Sequence, residues 1–142
     1  ADYLSEKLWK PLGMNDDALW HTDGQGLELA YCCISSNARN FAKFGQLLLD
    51  DGKWQGRQLL SRDFAIAMRT SQAVDSYGYS IWINNDNNPP FYQLQGHLGQ
   101  YVTVIPSENM IVVRLGRQRD RTTDSLNGVV PIYVKHALTL VE

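Results

Sequence analysis

The segment from Phe91 to Leu115 reads FYQLQGHLGQYVTVIPSENMIVVRL. Its β-branched and aromatic residues are interrupted twice by turn-forming clusters, a pattern that predicts three short strands. The first ends in a glycine-rich bend, Gly96-His97-Leu98-Gly99-Gln100. The other two form a hairpin around Pro106-Ser107-Glu108-Asn109. Glycines at the end of a strand mark a place where another group approaches the backbone closely. The bend is therefore the expected functional site.

The strands Tyr101–Ile105 and Ile111–Val113 are apolar at consecutive positions, as in a sheet covered on both faces. The covering helices are also legible. Ala38, Phe41, Ala42, Gly45, Leu48 and Leu49 recur at helical spacing, predicting a helix over about 37–50 with Ser36 as its N-cap and Gly52 as its stop. Gly45 in mid-helix costs about 1 kcal/mol relative to alanine and implies close packing against a neighbour. Ser61 caps a second helix, with Phe64, Ala65 and Met68 expected inward. Val129–Val141 forms a last amphipathic helix, with Pro131 confined to its first turn. An opening helix spans Ala1–Lys10, ended by Pro11 and Gly13, and Leu27–Ser35 is expected to be extended. A period of two over Tyr77–Ile83 predicts a further strand, with Tyr77, Tyr79 and Trp82 in the core, and NNDNNPP after it is a loop. The order is helices, antiparallel sheet, closing helix, so the fold class is α+β, in one domain spanning 1–142.

A chain of 142 residues with 44% hydrophobic and 20% charged residues has material for one well-packed core. The net charge of −2 gives no steering toward nucleic acid or anionic lipid. No apolar run approaches the ~20 residues of a membrane span. The adjacent Cys32 and Cys33 do not match a CxxC redox or zinc motif and are read as small buried side chains, since neighbouring cysteines seldom bond each other. His21, His97 and His136 lack partners at ligand spacing, so neither a metal nor a cofactor is expected. The sequence contains no Gly-x-Ser-x-Gly elbow, no Ser-x-x-Lys and no HExxH. Three Ser-x-Asn triplets, at Ser35, Ser107 and Ser125, read as a cap, a turn and a cap. The arginines Arg114, Arg117, Arg119 and Arg121 read as a solvated face.

Three segments carry a resemblance. The first is Tyr3–Met14, YLSEKLWKPLGM. The second is Ser35–Leu49, SSNARNFAKFGQLLL, with Asn40 where Asp is usual. The third is Tyr77–Trp82, YGYSIW, followed by the bend and VIPSENMIVVRLG. In this order they resemble the C-terminal part of the serine β-lactamase-like hydrolases, which include class C β-lactamases, D-alanyl-D-alanine peptidases, esterases and 6-aminohexanoate-dimer hydrolases. The resemblance implies a partial β-lactamase/transpeptidase-like fold, with the catalytic Ser-x-x-Lys and Tyr-x-Asn lying before Ala1. The chain would thus be part of a larger bacterial protein, periplasmic or secreted, with the N-terminal part as its partner.

The family's Lys-Thr-Gly strand aligns with Leu94-Gln95-Gly96 or, in a second register, with His97-Leu98-Gly99. Its lysine is replaced in both, which puts β-lactam-type carboxylate recognition in question. The resemblance further implies that the backbone N–H of His97 is an oxyanion donor. It places Gln95, Gly96, Leu98, Gly99 and Gln100 along a substrate strand for a small amide or ester. Gly96 would let the substrate carbonyl approach without a Cβ in the way. The alternative is a non-catalytic module of the same fold that holds peptides.

Overall fold

The computed structural model describes residues 1–117 and 128–141. An opening helix, α1 (Asp2–Leu4), widens into a π-type turn over Ser5–Trp9. Two short strands, β1 (Leu19–Trp20) and β2 (Ile34–Ser35), pair antiparallel across the loop that follows. Next come α2 (Ala38–Leu49), a small hairpin of β3 (Lys53–Trp54) and β4 (Arg57–Gln58), and α3 (Arg62–Met68). The main sheet is antiparallel, in the order β5 (Trp82–Asn84), β6 (Phe91–Gly96), β7 (Gln100–Ile105), β8 (Met110–Arg114). The helix α4 (Val130–Leu138) closes the described chain, with Pro131 in its first turn. The fold class is α+β, as the periodicities predict.

Both faces of the sheet are covered. On one, Leu48 of α2 packs with Ile81, Ile83, Tyr92 and Val104. On the other, Val130 and Val134 of α4 pack with Phe91, Tyr101 and Ile105. Each fully buried side chain of this size contributes about 1.5–3 kcal/mol. Gly45 lies where α2 packs tightly on the sheet. A Cβ built there would lie 2.9 Å from Ile111 Cγ2 and 3.0 Å from Val102 Cγ1. The glycine lets the helix descend onto β7 and β8, and so sets the level at which the sheet sits.

The start of α2 is a polar joint. Its N-cap is Asn37, whose side chain accepts from the Asn40 amide at 2.9 Å. Ser36, the expected cap, instead accepts from Asn40 Nδ2 at 3.0 Å. Asn40 is wholly buried, and its Oδ1 accepts from the Asn15 amide at 3.1 Å. An amide side chain can both donate and accept here without burying a charge. Lys43 donates to the Gly13 carbonyl and to Asn15 Oδ1. Together these bonds dock the Pro11–Asn15 segment, with Leu12 fully buried.

Several expectations are corrected. Cys32 and Cys33 are joined by a disulfide, and neither is buried. The backbone bends sharply there, with φ of +80° at Cys33, which lets neighbouring sulfurs meet. Of the expected extended segment Leu27–Ser35, only Ile34–Ser35 is strand. Phe64 is largely exposed and stacks on Tyr79, itself half exposed; Ala65 is the buried residue of α3. Tyr77 is also exposed beyond a third. The strand predicted from Tyr77 begins only at Trp82, because Gly78 and Tyr79 are tied elsewhere. The Tyr79 amide donates to the Met68 carbonyl at 3.0 Å, and Ser80 takes φ of +59°. Of the Ser-x-Asn triplets, Ser35–Asn37 opens α2 and Ser107–Asn109 forms the β7–β8 turn, with Asn109 left-handed at φ +48°. Ser125, Arg119 and Arg121 lie outside the described residues.

Candidate active site at the β6–β7 bend

The bend is a three-residue connection, His97-Leu98-Gly99, between paired Gly96 and Gln100. Leu98 has φ of +61° and Gly99 of +90°. Left-handed backbone is unstrained at glycine and costs a branched residue such as leucine energy, so the turn holds Leu98 where the chain alone would not. Gly99 is buried, Leu98 half-buried and His97 exposed. Among the described residues no hydrogen bond is made by the His97 amide. A backbone donor at an exposed turn is in position to meet an acceptor from outside.

The ladder accounts for the accessibility of this end of β6. The strand β5 pairs only with Phe91, Tyr92 and Gln93. The last three residues of β6, Leu94 to Gly96, run past the end of β5 while still pairing with β7. Gln95 is exposed, and its Oε1 accepts from Gln93 Nε2 at 3.2 Å. Gln93 is fully buried, and its own Oε1 accepts from Thr103 at 3.3 Å. A buried amide thus supports an exposed one on the same face of β6.

The bend is held from behind by residues of β7, β8 and α4. The Gln100 side chain grips the backbone of Gly116 twice, donating to its carbonyl at 2.6 Å and accepting from its amide at 2.9 Å. Through these two bonds Gln100 ties the bend to the chain beyond β8. Gly96 lacks a Cβ for the same neighbour: a Cβ there would meet Gln100 Cβ at 2.9 Å. The glycine makes room for Gln100 within the turn.

Arg114 is also corrected. It is half-buried, not part of a solvated face like the exposed Arg117. Its Nη1 donates to the carbonyls of Gly99 and Gly116, and its Nε to the Tyr133 hydroxyl of α4 at 3.1 Å. Arg114 also pairs in register with Tyr101. Burial pushes the Tyr101 hydroxyl pKa up, and the Arg114 guanidinium opposes that rise. The sequence signal for Arg114 is its place inside the alternation of β8, two residues from Val112 and on the same side of the pleat. Arg117 follows Gly116 and lies beyond the strand.

Comparison with known proteins agrees with this architecture. The Beta-lactamase family model matches residues 1–128. The chain belongs to the beta-lactamase family, and its fold is that of a hydrolase. One similar solved structure, described as "Putative 6-aminohexanoate-dimer hydrolase from Bacillus anthracis", has a TM-score of 0.74 at 24% identity, covering 98% of this chain and 36% of that one. A second, described as "Crystal structure of putative beta-lactamase from Bacteroides dorei DSM 17855", has a TM-score of 0.68 at 14% identity, covering 97% and 50%. The chain thus spans between about a third and a half of the length of these two proteins.

Proposed function

We propose that this chain is the sheet-bearing part of a serine hydrolase that cleaves amides or esters through an acyl-enzyme. The observation that carries the reading is His97, an exposed residue on a left-handed bend at the end of a strand that outruns its neighbour. The nucleophilic serine would come from polypeptide outside these residues. Its Oγ attacks the substrate carbonyl, and the carbonyl oxygen becomes an oxyanion. That oxygen accepts from the His97 N–H and from the nucleophile's own N–H. The serine proton passes to a general base outside these residues and from it to the leaving group; collapse expels the amine or alcohol and leaves the acyl-serine, which water then hydrolyses. Gln95, beside the bend, hydrogen-bonds the substrate's amide or acid end.

A fluorophosphonate probe applied to the full-length protein tests this. The expected result is covalent labelling of one serine outside residues 1–142, with loss of activity on p-nitrophenyl esters. Labelling of a serine within these residues would refute it. Absence of both labelling and hydrolysis would favour the peptide-holding module instead.

A further inference from the structure

We infer that Arg114 is a positioning residue for the bend, fixing the orientation of the His97 amide; this rests on the oxyanion role proposed above. Arg114 joins three parts of the molecule that are far apart in sequence. Its guanidinium donates to the Gly99 carbonyl in the bend and to the Gly116 carbonyl beyond β8. Its Nε donates to Tyr133 on α4, whose ring lies 5.8 Å from the guanidinium carbon. Guanidinium has five donors in a fixed plane and no acceptor, so all three bonds have one polarity and one geometry. The Gln100 side chain, from the adjacent strand, bonds the same Gly116 carbonyl and also the Gly116 amide. The trailing arm of the bend is therefore fixed at Gly99 and Gln100.

The leading arm is fixed by ladder pairing of Gly96 with Gln100. Between the two arms stand only His97 and Leu98, the latter at φ +61°. A left-handed leucine relaxes to a right-handed or extended conformation if its surroundings release it. Such relaxation turns the neighbouring peptide planes, and the His97 N–H with them. Removing the Arg114 clamp would therefore leave the donor present but pointing elsewhere for part of the time. Loss of an oxyanion donor lowers kcat far more than substrate binding, so misorientation belongs in kcat.

The test uses the full-length protein labelled with 15N-histidine, with the His97 amide resonance assigned by its disappearance in His97→Gln. Wild type is expected to show one sharp His97 amide peak. Arg114→Gln is expected to shift and broaden or split that peak. The same variant should lower kcat on p-nitrophenyl butyrate by about tenfold, well short of the loss of a whole donor, with KM within about twofold. Affinity for phenylboronic acid, whose adduct mimics the tetrahedral intermediate, should fall by the same factor as kcat. Arg114→Lys should recover part of each effect. Tyr133→Phe, which removes one anchor and leaves the arginine, should show a smaller change of the same kind, and it carries the test if Arg114→Gln does not fold. An unchanged His97 peak, or a loss confined to KM or to melting temperature, would overturn the inference. The amide resonance reads the clamp without reference to turnover. A changed peak in a protein that hydrolyses neither ester nor amide and takes no fluorophosphonate would therefore refute the serine-hydrolase reading while supporting the clamp.

Discussion

The Gln100 side chain closes a two-bond ring with the N–H and C=O of Gly116, joining the first residue after the bend to a residue two positions past the end of β8. Replacing Gln100 by alanine removes both bonds, leaving the Gly116 amide to water and its carbonyl to Arg114. The expected cost is about 1–2 kcal/mol in chemical denaturation. Because the ring backs the bend, kcat on an ester substrate should fall in the same variant. Unchanged stability and turnover would show that this pairing does not hold the bend.

The proposed donor is a backbone group, so the side chain and the amide of His97 can be tested apart. His97→Ala keeps the N–H, whereas His97→Pro deletes it. The proline variant is expected to have a kcat lower than that of the alanine variant by about 10²–10³, the usual effect of one lost oxyanion donor. Equal rates in the two variants would exclude the amide from catalysis.

Gly45 is expected to resist substitution although alanine is the better helix former. Gly45→Ala gains up to about 1 kcal/mol of helix propensity but forces Ile111 or Val102 aside, an overpacking cost of about 1–3 kcal/mol. Net destabilisation should appear in urea unfolding. The same change made in an Ile111→Ala background should be less destabilising, because the 2.9 Å contact is then gone while the 3.0 Å contact with Val102 remains. Additive effects in this double-mutant cycle would rule out the contact as the cause.

The Asp51–Arg69 pair should impose an acid limit on stability. Hydrogen bonding to Arg69 lowers the Asp51 pKa, opposed by partial burial and aided by Arg62. A carboxylate with a depressed folded-state pKa contributes stability that is fully present above its unfolded pKa and is lost as pH falls through the folded value. Melting temperature should therefore decline below about pH 4, the unfolded Asp value, and the Asp51→Asn variant should show a shallower decline. Asparagine also tolerates the left-handed backbone at this position, φ +52°. Identical acid slopes in the two proteins would count against the pair.

The Tyr92 hydroxyl is buried without a hydrogen-bond partner among the described residues. Burial raises its pKa, and the nearby Arg69 partly offsets that rise. Tyr92→Phe removes the buried polar atom and keeps the ring beside Arg69, so it should leave thermal stability unchanged or raise it, by up to about 1 kcal/mol. Marked destabilisation would mean that the hydroxyl has a partner in solution.

Much of the fold was legible in the residues themselves. The stripe of α2, the cap at Ser61, the proline in the first turn of α4 and the two turns of the sheet all follow from local periodicity and turn chemistry. Gly45 announced a close contact because glycine in mid-helix has a local cost that only packing offsets. The errors fell where local preference met a competing partner. Tyr77 to Ser80 alternates like a strand, yet Gly78 and Tyr79 are bonded to Ile81 and Met68 instead of a neighbouring strand. Phe64 has helical spacing but lies on the outer side of α3, a distinction that a seven-residue helix is too short to reveal.

Residue order and type alone determined the α+β class, the covered sheet and the position of the glycine bend, because each depends on neighbours within a few residues. Only the tertiary structure decided that Gln100 bonds to Gly116, that a Cβ at Gly96 would press on Gln100, and that Arg114 reaches Gly99, Gly116 and Tyr133. These depend on side chains meeting across strands and from α4. Such meetings are fixed by register and by the depth at which each helix sits, neither of which is encoded in any single stretch of chain.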